Sequence, residues 1–178
     1  TAYNKPTSSI DKRVFLLAPE SINREELIFS ALAKKAAKMY KDALFIYRLH
    51  PSSLTAKNIK YYSSSFKEHP NLVLSQNSSL EDDITRANYV IYRGSSVAIQ
   101  GLANGKIPIY YNYNNEGLID VLWAFESFKF TINNSQGLLK CFDNKPTIHE
   151  REGGMNYAQS LFQDLIPSAI VNYINSAQ

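Results

Sequence analysis

The sequence contains one cysteine, Cys141, in 178 residues, so it cannot form an internal disulfide and offers no cysteine-based zinc site. No apolar run approaches the roughly 20 residues that a membrane-spanning helix needs, and we see no signal peptide. The net charge is only +3, and the 19 basic residues are scattered, which argues against a nucleic-acid-binding surface. We therefore expect a globular, cytoplasmic protein that does not bind nucleic acid.

Several widespread catalytic and nucleotide-binding motifs are also missing. The sequence has no G-x-G-x-x-G and no G-x-x-x-x-G-K-[ST], which counts against NAD binding and P-loop chemistry. It has no G-x-S-x-G, which makes an α/β-hydrolase a poor candidate. His149 lies in a charged stretch and lacks a partner at metal-ligand spacing. We expect no metal and no other cofactor.

Short apolar runs alternate with helical stretches along the chain. The runs that we predict as strands cover residues 13–18, 43–49, 71–75, 88–93 and 107–112, and the helices between them cover 21–42, 53–69, 79–87 and 95–105. This alternation predicts an α/β fold, a Rossmann-like doubly wound parallel sheet of five to six strands flanked by helices. We expect a single domain at 13–178, preceded by an N-terminal arm or linker at 1–12.

The helix predicted over 21–42 carries a mostly apolar stripe that we expect to face the core, and Asn23 with Glu26 resembles a capping box. The stripe consists of Leu27, Ile28, Ala31, Leu32, Lys35 and Met39.

The last third of the sequence has weaker periodicity. We predict helices at 116–128 and 135–144, a short extended piece at 129–132, a polar loop at 145–155 and a helical tail at 156–177 that is interrupted by Pro167.

A His-Pro pair occurs twice, and its position relative to the predicted strands separates the two copies. Ligands bind at the carboxyl ends of the strands in such a sheet. His50-Pro51 directly follows the second strand and lies at that edge, whereas His69-Pro70 precedes the third strand and lies at the opposite edge. A histidine at the ligand edge can donate a hydrogen bond to a phosphate oxygen; the alternative is that His50 caps a buried turn.

Gly94-Ser95-Ser96 follows the fourth strand and opens a helix. Free N–H groups at a helix start hold phosphate, Gly94 permits close approach, and the two hydroxyls add donors. The alternative is that Ser95 only caps the helix. Arg48, on the same side of its strand as His50, supplies either a second cation or the partner of a nearby acid. Both loops reach one crevice in a right-handed βαβ sheet.

The segments "RLHPSS" and "DITRANYVIYRGSSVAIQGLANGKIPIYY" resemble the donor-binding half of a GT-B glycosyltransferase. They are most similar to bacterial sialyltransferases, polysialyltransferases and Kdo transferases that make surface polysaccharides. Those families carry an HP motif and an SS motif that bind the nucleotide phosphate of a CMP-activated acidic sugar. The resemblance covers roughly residues 43–112. It implies that His50-Pro51 and Ser95-Ser96 hold this phosphate, that His50 donates to it during catalysis, and that no metal is required.

The sequence departs from this family pattern at the ribose contact. Many GT-B enzymes have a glutamate in the helix after the serines, and Gln100 stands at that position here. The ribose contact is then weaker or comes from Glu116. The alternatives, which explain the residues equally well, are that Gln100 is a polar residue on the helix surface and that Glu116 is an acid in the first turn of a helix. Glu20 follows the first strand and is an acid at the ligand edge. The alternative is that it only interacts favourably with the helix dipole.

A second departure is length, because GT-B enzymes have two such domains and this chain has room for one. The resemblance therefore implies a C-terminal half that binds a nucleotide-sugar donor and reaches its glycan acceptor and general base through a missing N-terminal domain. In the full-length protein we expect contact with the inner face of the membrane. Open alternatives are the donor half of a UDP-sugar transferase, epimerase or polyol-phosphate transferase, and a non-catalytic α/β interaction module.

Overall fold

The computed structural model describes residues 13–116 and 120–162. The predicted arm at 1–12 and most of the predicted tail, including Pro167, lie outside the described residues.

A six-stranded, all-parallel sheet forms the centre of the fold. The strand order is β3-β2-β1-β4-β5-β6, which places β1 and β4 side by side where the order reverses. The predicted Rossmann-like architecture is confirmed, and the short piece predicted at 129–132 is the sixth strand. The strands are β1 (Arg13–Leu17), β2 (Ala43–Tyr47), β3 (Leu72–Leu74), β4 (Tyr89–Tyr92), β5 (Ile107–Tyr111) and β6 (Phe130–Ile132).

Six α-helices connect or follow these strands in the described part of the chain. They are α1 (Asn23–Met39), α2 (Ala56–Phe66), α3 (Leu80–Arg86), α4 (Val97–Ala103), α5 (Leu139–Asp143) and α6 (Ile148–Ser160). Short 3-10 turns lie at Pro51–Ser53, Tyr113–Asn115 and Ser135–Leu138. None of the described helices is long and apolar enough to cross a membrane.

The strands read as continuous apolar runs because both faces of the sheet are covered. On one face Phe15 stacks on Phe45 and Tyr89, with ring centroids 5.1 Å and 4.6 Å away. This face packs against α1, α2 and α5. On the other face Leu16 and neighbouring side chains pack against Ile84 of α3. Successive residues of β1 therefore serve opposite layers of the core.

The buried face of α1 differs from the predicted stripe. The core-facing residues are Phe29, Leu32, Ala33, Ala36 and Ala37, whereas Leu27 and Met39 are 52% and 45% exposed. Apolar residues occupy more than one face of this helix, so periodicity alone did not identify the inner one. The alanines face inward because their small side chains let the helix approach the sheet closely.

The predicted capping box of α1 is also wrong. The helix has Ile22 at its N-cap and no side-chain cap. Glu26 does not fold back to the helix start because its side chain is buried and accepts a hydrogen bond from the Tyr62 hydroxyl at 3.2 Å.

The helix predicted at 116–128 is not present in its described residues, which form turns between 120 and 128. Asp120 organises these turns. Its carboxylate accepts hydrogen bonds from Lys129 Nζ and the Tyr92 hydroxyl, both at 2.6 Å, and from the Leu122 N–H at 2.9 Å. These contacts tie the segment to β4 and turn it toward β6.

The polar loop predicted at 145–155 is wrong as well, because α6 begins at Ile148. Thr147 caps this helix, and Glu150 completes a capping box by accepting the Thr147 N–H at 2.7 Å. The pair Gly153-Gly154 suggested a loop, yet Gly154 lies within the helix and packs against neighbouring side chains. A Cβ there would lie 2.7 Å from Phe128 and 2.8 Å from Leu102. A glycine in α6 thus allows the helix to lie directly on α4.

The two adjacent glycines provide a matched test of this helix. Gly153→Ala meets no atom within 4 Å and should raise the free energy of unfolding by about 0.5–1 kcal/mol, since alanine is the better helix former. Gly154→Ala should lower it by about 1–3 kcal/mol through overpacking. Urea denaturation measures both. Equal effects of the two substitutions would contradict the placement of α6.

Candidate functional site

The two loops predicted to bind phosphate flank the loop that follows β1. β1 pairs with β2 on one side and with β4 on the other, so the loops after β2 and β4 are about 10 Å apart at the carboxyl edge. Ser21 of the β1 loop hydrogen-bonds to Ser52 of the β2 loop through their hydroxyls. Glu20 lies against Gly94 of the β4 loop, where a Cβ would come within 2.9 Å of Glu20 Cδ. One short segment therefore contacts both motifs at the carboxyl edge of the sheet.

His50 is exposed at this edge, and its ring is oriented by its neighbours. Nδ1 accepts the Ser52 N–H at 3.3 Å and lies 2.8 Å from the Ser52 hydroxyl. Because Nδ1 acts as an acceptor, the neutral ring carries its proton on Nε2. Nε2 has no hydrogen-bond partner in the described part of the chain, so it can donate to a ligand. Pro51 starts the 3-10 turn that fixes this arrangement.

His69 lies at the opposite edge, as predicted. It belongs to the turn that leads into β3, where its N–H donates to Phe66 at 2.8 Å and its carbonyl accepts from Leu72 at 2.9 Å. These backbone contacts make His69-Pro70 a turn element.

The Gly94-Ser95-Ser96 loop opens α4, with Ser96 at the N-cap. The Ser96 side chain makes no capping bond, and Ser95 Oγ accepts the Val97 N–H only at 3.4 Å. Within residues 13–116 and 120–162, no carbonyl accepts the N–H of Ser95 or Ser96. The loop thus presents backbone and hydroxyl donors, while α4 itself has only seven residues. The open side of Gly94 accommodates Glu20.

Arg48 takes the second of the two roles that the sequence allows, the ion pair with an acid. Its Nη1 donates to Asp83 Oδ2 at 2.7 Å, to the Ser78 carbonyl at 2.9 Å and to Ser75 Oγ at 3.1 Å. Asp83 is fully buried, so it anchors the loop after β3 in addition to lying in the first turn of α3. Arg48 therefore braces the strand end that carries His50.

Gln100 and Glu116 lie in different surroundings. Gln100 is exposed on α4 and lines a cavity of about 480 Å³ together with Glu81 of α3 and Phe162 after α6. Glu116 follows the 3-10 turn after β5. There two arginines hold its carboxylate. Arg24 Nη2 donates to Oε1 at 2.5 Å, and Arg93 Nη2 donates to Oε2 at 3.3 Å.

Sequence reasoning missed Arg93, which directly precedes Gly94. Its side chain is 1% exposed, and Nη1 donates to Glu25 Oε1 at 3.0 Å. A guanidinium this deep must be paired, since an isolated buried charge is strongly unfavourable. The available signal was an arginine at the end of the apolar run "VIYR", facing acids in the first turn of the first helix. Arg93 links β4, α1 and the loop after β5.

Arg24, Arg93, Glu25 and Glu116 form an arginine–glutamate cluster. The pKa values of its two carboxyl groups are shifted in opposite directions. Burial raises the pKa of Glu25 above its ordinary value of 4.5, and the attraction of Arg93 offsets this only in part. The hydrogen bond from Arg24 lowers the pKa of Glu116. Glu25 Oε2 and Arg93 Nε have no hydrogen-bond partner in the described structure. Burial of Glu25 therefore disfavours its charged form in the folded chain.

The raised pKa of Glu25 predicts that the stability of the fold depends on pH. A carboxyl group whose pKa is raised by folding favours its protonated form in the folded chain, so stability falls as pH rises above 4.5 through the raised value. Glutamine cannot titrate, so the free energy of unfolding of the unmodified chain minus that of Glu25→Gln should fall over this range. Urea denaturation at a series of pH values measures the difference. A difference that grows with pH would mean that the attraction of Arg93 outweighs burial.

Among residues 13–116 and 120–162, no group of three or more histidine, cysteine, aspartate or glutamate side chains is placed to hold a metal ion. The site instead consists of a histidine, hydroxyls, backbone donors and an arginine–glutamate cluster.

Neither a scan of protein-family models nor a search of curated proteins found a match. Solved structures do match. The S. aureus protein TarM, solved with fondaparinux, α-GlcNAc-glycerol and UDP, aligns with a TM-score of 0.60 at 10% identity, over 97% of this chain and 36% of that one. The glycosyltransferase SnogD from Streptomyces nogalater gives 0.56 at 15% identity, over 87% and 41%.

The UDP-GlcNAc 2-epimerase from Neisseria meningitidis, solved with UDP-GlcNAc, gives a TM-score of 0.51 at 14% identity, over 84% of this chain and 39% of that one. Identities this low establish a common fold and nothing finer. The chain spans about two fifths of the length of each of these proteins. It therefore shares the fold of one part of larger proteins, and these proteins were solved with nucleotides or act as glycosyltransferases.

Proposed function

We propose that this chain is the donor-binding half of a GT-B glycosyltransferase and that it binds a CMP-activated acidic sugar. The observation that carries the proposal is the meeting of the loops beside the β1–β4 switch point, where the loop after β1 contacts both the His50 loop and the Gly94 loop. In open α/β sheets a ligand binds in the crevice at this edge. The shared fold with TarM and SnogD supports the same reading.

In this proposal the nucleotide phosphate lies between the two loops. His50 donates from Nε2 to a phosphate oxygen, and Ser95 and Ser96 donate from their hydroxyls and N–H groups. When the bond between the anomeric carbon of the sugar and the phosphate oxygen breaks, negative charge grows on the departing CMP phosphate, and donors fixed in advance stabilise it. Protonation by His50 contributes in the same direction. Pro51 and the bond from Ser52 hold the imidazole in the donating orientation.

The acceptor glycan and the general base come from a second domain in this proposal. The chain spans 36–41% of the glycosyltransferase and TarM structures that it matches, which leaves room in proteins of that size for another domain. Glu20 is an acid in the crevice, but it lies on Gly94 and its distance to an acceptor depends on the missing half. We therefore assign the chain donor binding and leaving-group stabilisation.

The His-Pro pairs give a matched test of donor binding. His50→Ala should weaken CMP binding by about tenfold, because a hydrogen bond to a charged oxygen is lost. His69→Ala should leave it unchanged, since that residue lies at the other edge. Isothermal titration of the chain with CMP measures both dissociation constants. Equal losses in the two variants would refute the placement of the phosphate at the His50 edge.

A second candidate is a half that binds UDP-sugars, as in a transferase or an epimerase, and the match to the UDP-GlcNAc 2-epimerase favours it. Parallel titrations with CMP, CDP, UDP and ADP distinguish the two. The proposal expects CMP to bind best; tighter binding of UDP would favour the second candidate. An absence of nucleotide binding at millimolar concentration would contradict both candidates and favour a non-catalytic interaction module.

A further inference from the structure

The Glu116 carboxylate is bound by two guanidinium groups at the edge of the crevice. Arg24 contacts one oxygen at 2.5 Å and Arg93 contacts the other at 3.3 Å. A carboxylate held through both oxygens by arginine donors is the arrangement by which proteins recognise acidic ligands. We propose that Arg24 and Arg93 form the subsite for the carboxylate of the donor sugar, and that Glu116 occupies this subsite until the donor binds. This inference rests on the proposed function.

The contacts of Glu116 are of a kind that an incoming ligand can replace. The Glu116 side chain is 25% exposed and that of Arg24 is 62% exposed, and ion pairs at such surfaces contribute little to stability. The contact with Arg93 is more buried, because the Arg93 side chain is only 1% exposed. Arg93 keeps its bond to Glu25 when Glu116 leaves, so no unpaired charge is left buried. A sugar carboxylate has the same charge and the same pair of oxygens. The exchange therefore conserves the electrostatics of the cluster.

Space for a sugar lies beside the cluster. The Tyr113 ring centroid is 5.9 Å from Arg93 Cζ, and Tyr113 also lines a cavity of about 330 Å³. Leu27 and Ile28 of α1 give this cavity an apolar wall, and the Asn133 and Asn134 side chains add amide groups. Apolar surface suits the C–H faces of a sugar ring, and amides suit its hydroxyls.

The chemistry of the donor explains why the two subsites adjoin. In a CMP-activated 2-keto acid sugar, the carboxylate and the phosphate ester oxygen are attached to the same anomeric carbon. Their binding groups must therefore be neighbours in the protein. Arg93 is the residue immediately before Gly94-Ser95-Ser96, so the carboxylate subsite and the proposed phosphate loop are adjacent in the chain. A neutral sugar has no group at this carbon for Arg24 and Arg93.

The test compares CMP-N-acetylneuraminic acid with its carboxyl methyl ester, which keeps the nucleotide and ring but removes the charge. Isothermal titration of the chain gives the ratio of the ester dissociation constant to that of the acid. The ratio should be about ten or more in the unmodified chain, since the charge-assisted contacts to Arg24 and Arg93 are weakened. It should fall in Arg24→Ala, where only Arg93 remains, and rise in Glu116→Gln, where the competing carboxylate is neutralised.

Arg13→Ala is the matched control. Arg13 is an exposed arginine paired with Asp42 at the amino end of β1, so its removal changes the net charge equally but should leave the ratio as it was. If CMP binds while acid and ester bind equally, the carboxylate subsite is refuted and the proposed function stands. The subsite is also refuted if Arg13→Ala lowers the ratio as much as Arg24→Ala, because the effect is then one of general charge. If neither CMP nor the two donors bind, the proposed function fails, and the subsite fails with it.

Discussion

The ion pair between Arg93 and Glu25 is the interaction on which the geometry of the crevice depends. It joins the end of β4 to the first turn of α1, with both side chains almost completely buried. Because separating these charges would leave the Glu25 carboxylate buried without its partner, the contact fixes the distance between helix and strand. The loops that begin on either side, at Glu20 and at Gly94, are held against each other as a result.

A second buried pair performs the same task on the other side of β1. Asp83 is buried beneath Arg48 and two serines, so the end of β2 is tied to α3. His50 is two residues beyond Arg48 and is itself exposed. The carboxyl edge thus has exposed polar groups at its surface and buried charged anchors beneath them. An anchor of this kind lets the exposed donor keep one orientation before any ligand arrives.

The sequence predicted the sheet well because each strand combines a continuous apolar run with turn residues at its ends. It also predicted the edge at which His50 and Ser95 lie, since strand direction alone decides that. It could not predict Arg93, Glu25 and Glu116 as a cluster, because these residues are far apart in the chain and meet only through packing. The loop predicted at 145–155 failed for a related reason: Gly154 is required by Phe128, a contact that no local pattern reveals.

The outermost strands give the sheet a further property. β3 and β6 lie at its two ends and have only three residues each. Short edge strands expose few unpaired peptide groups, so they offer a poor template for strand addition by another chain. Self-association by sheet extension, a common route to aggregation, is therefore disfavoured.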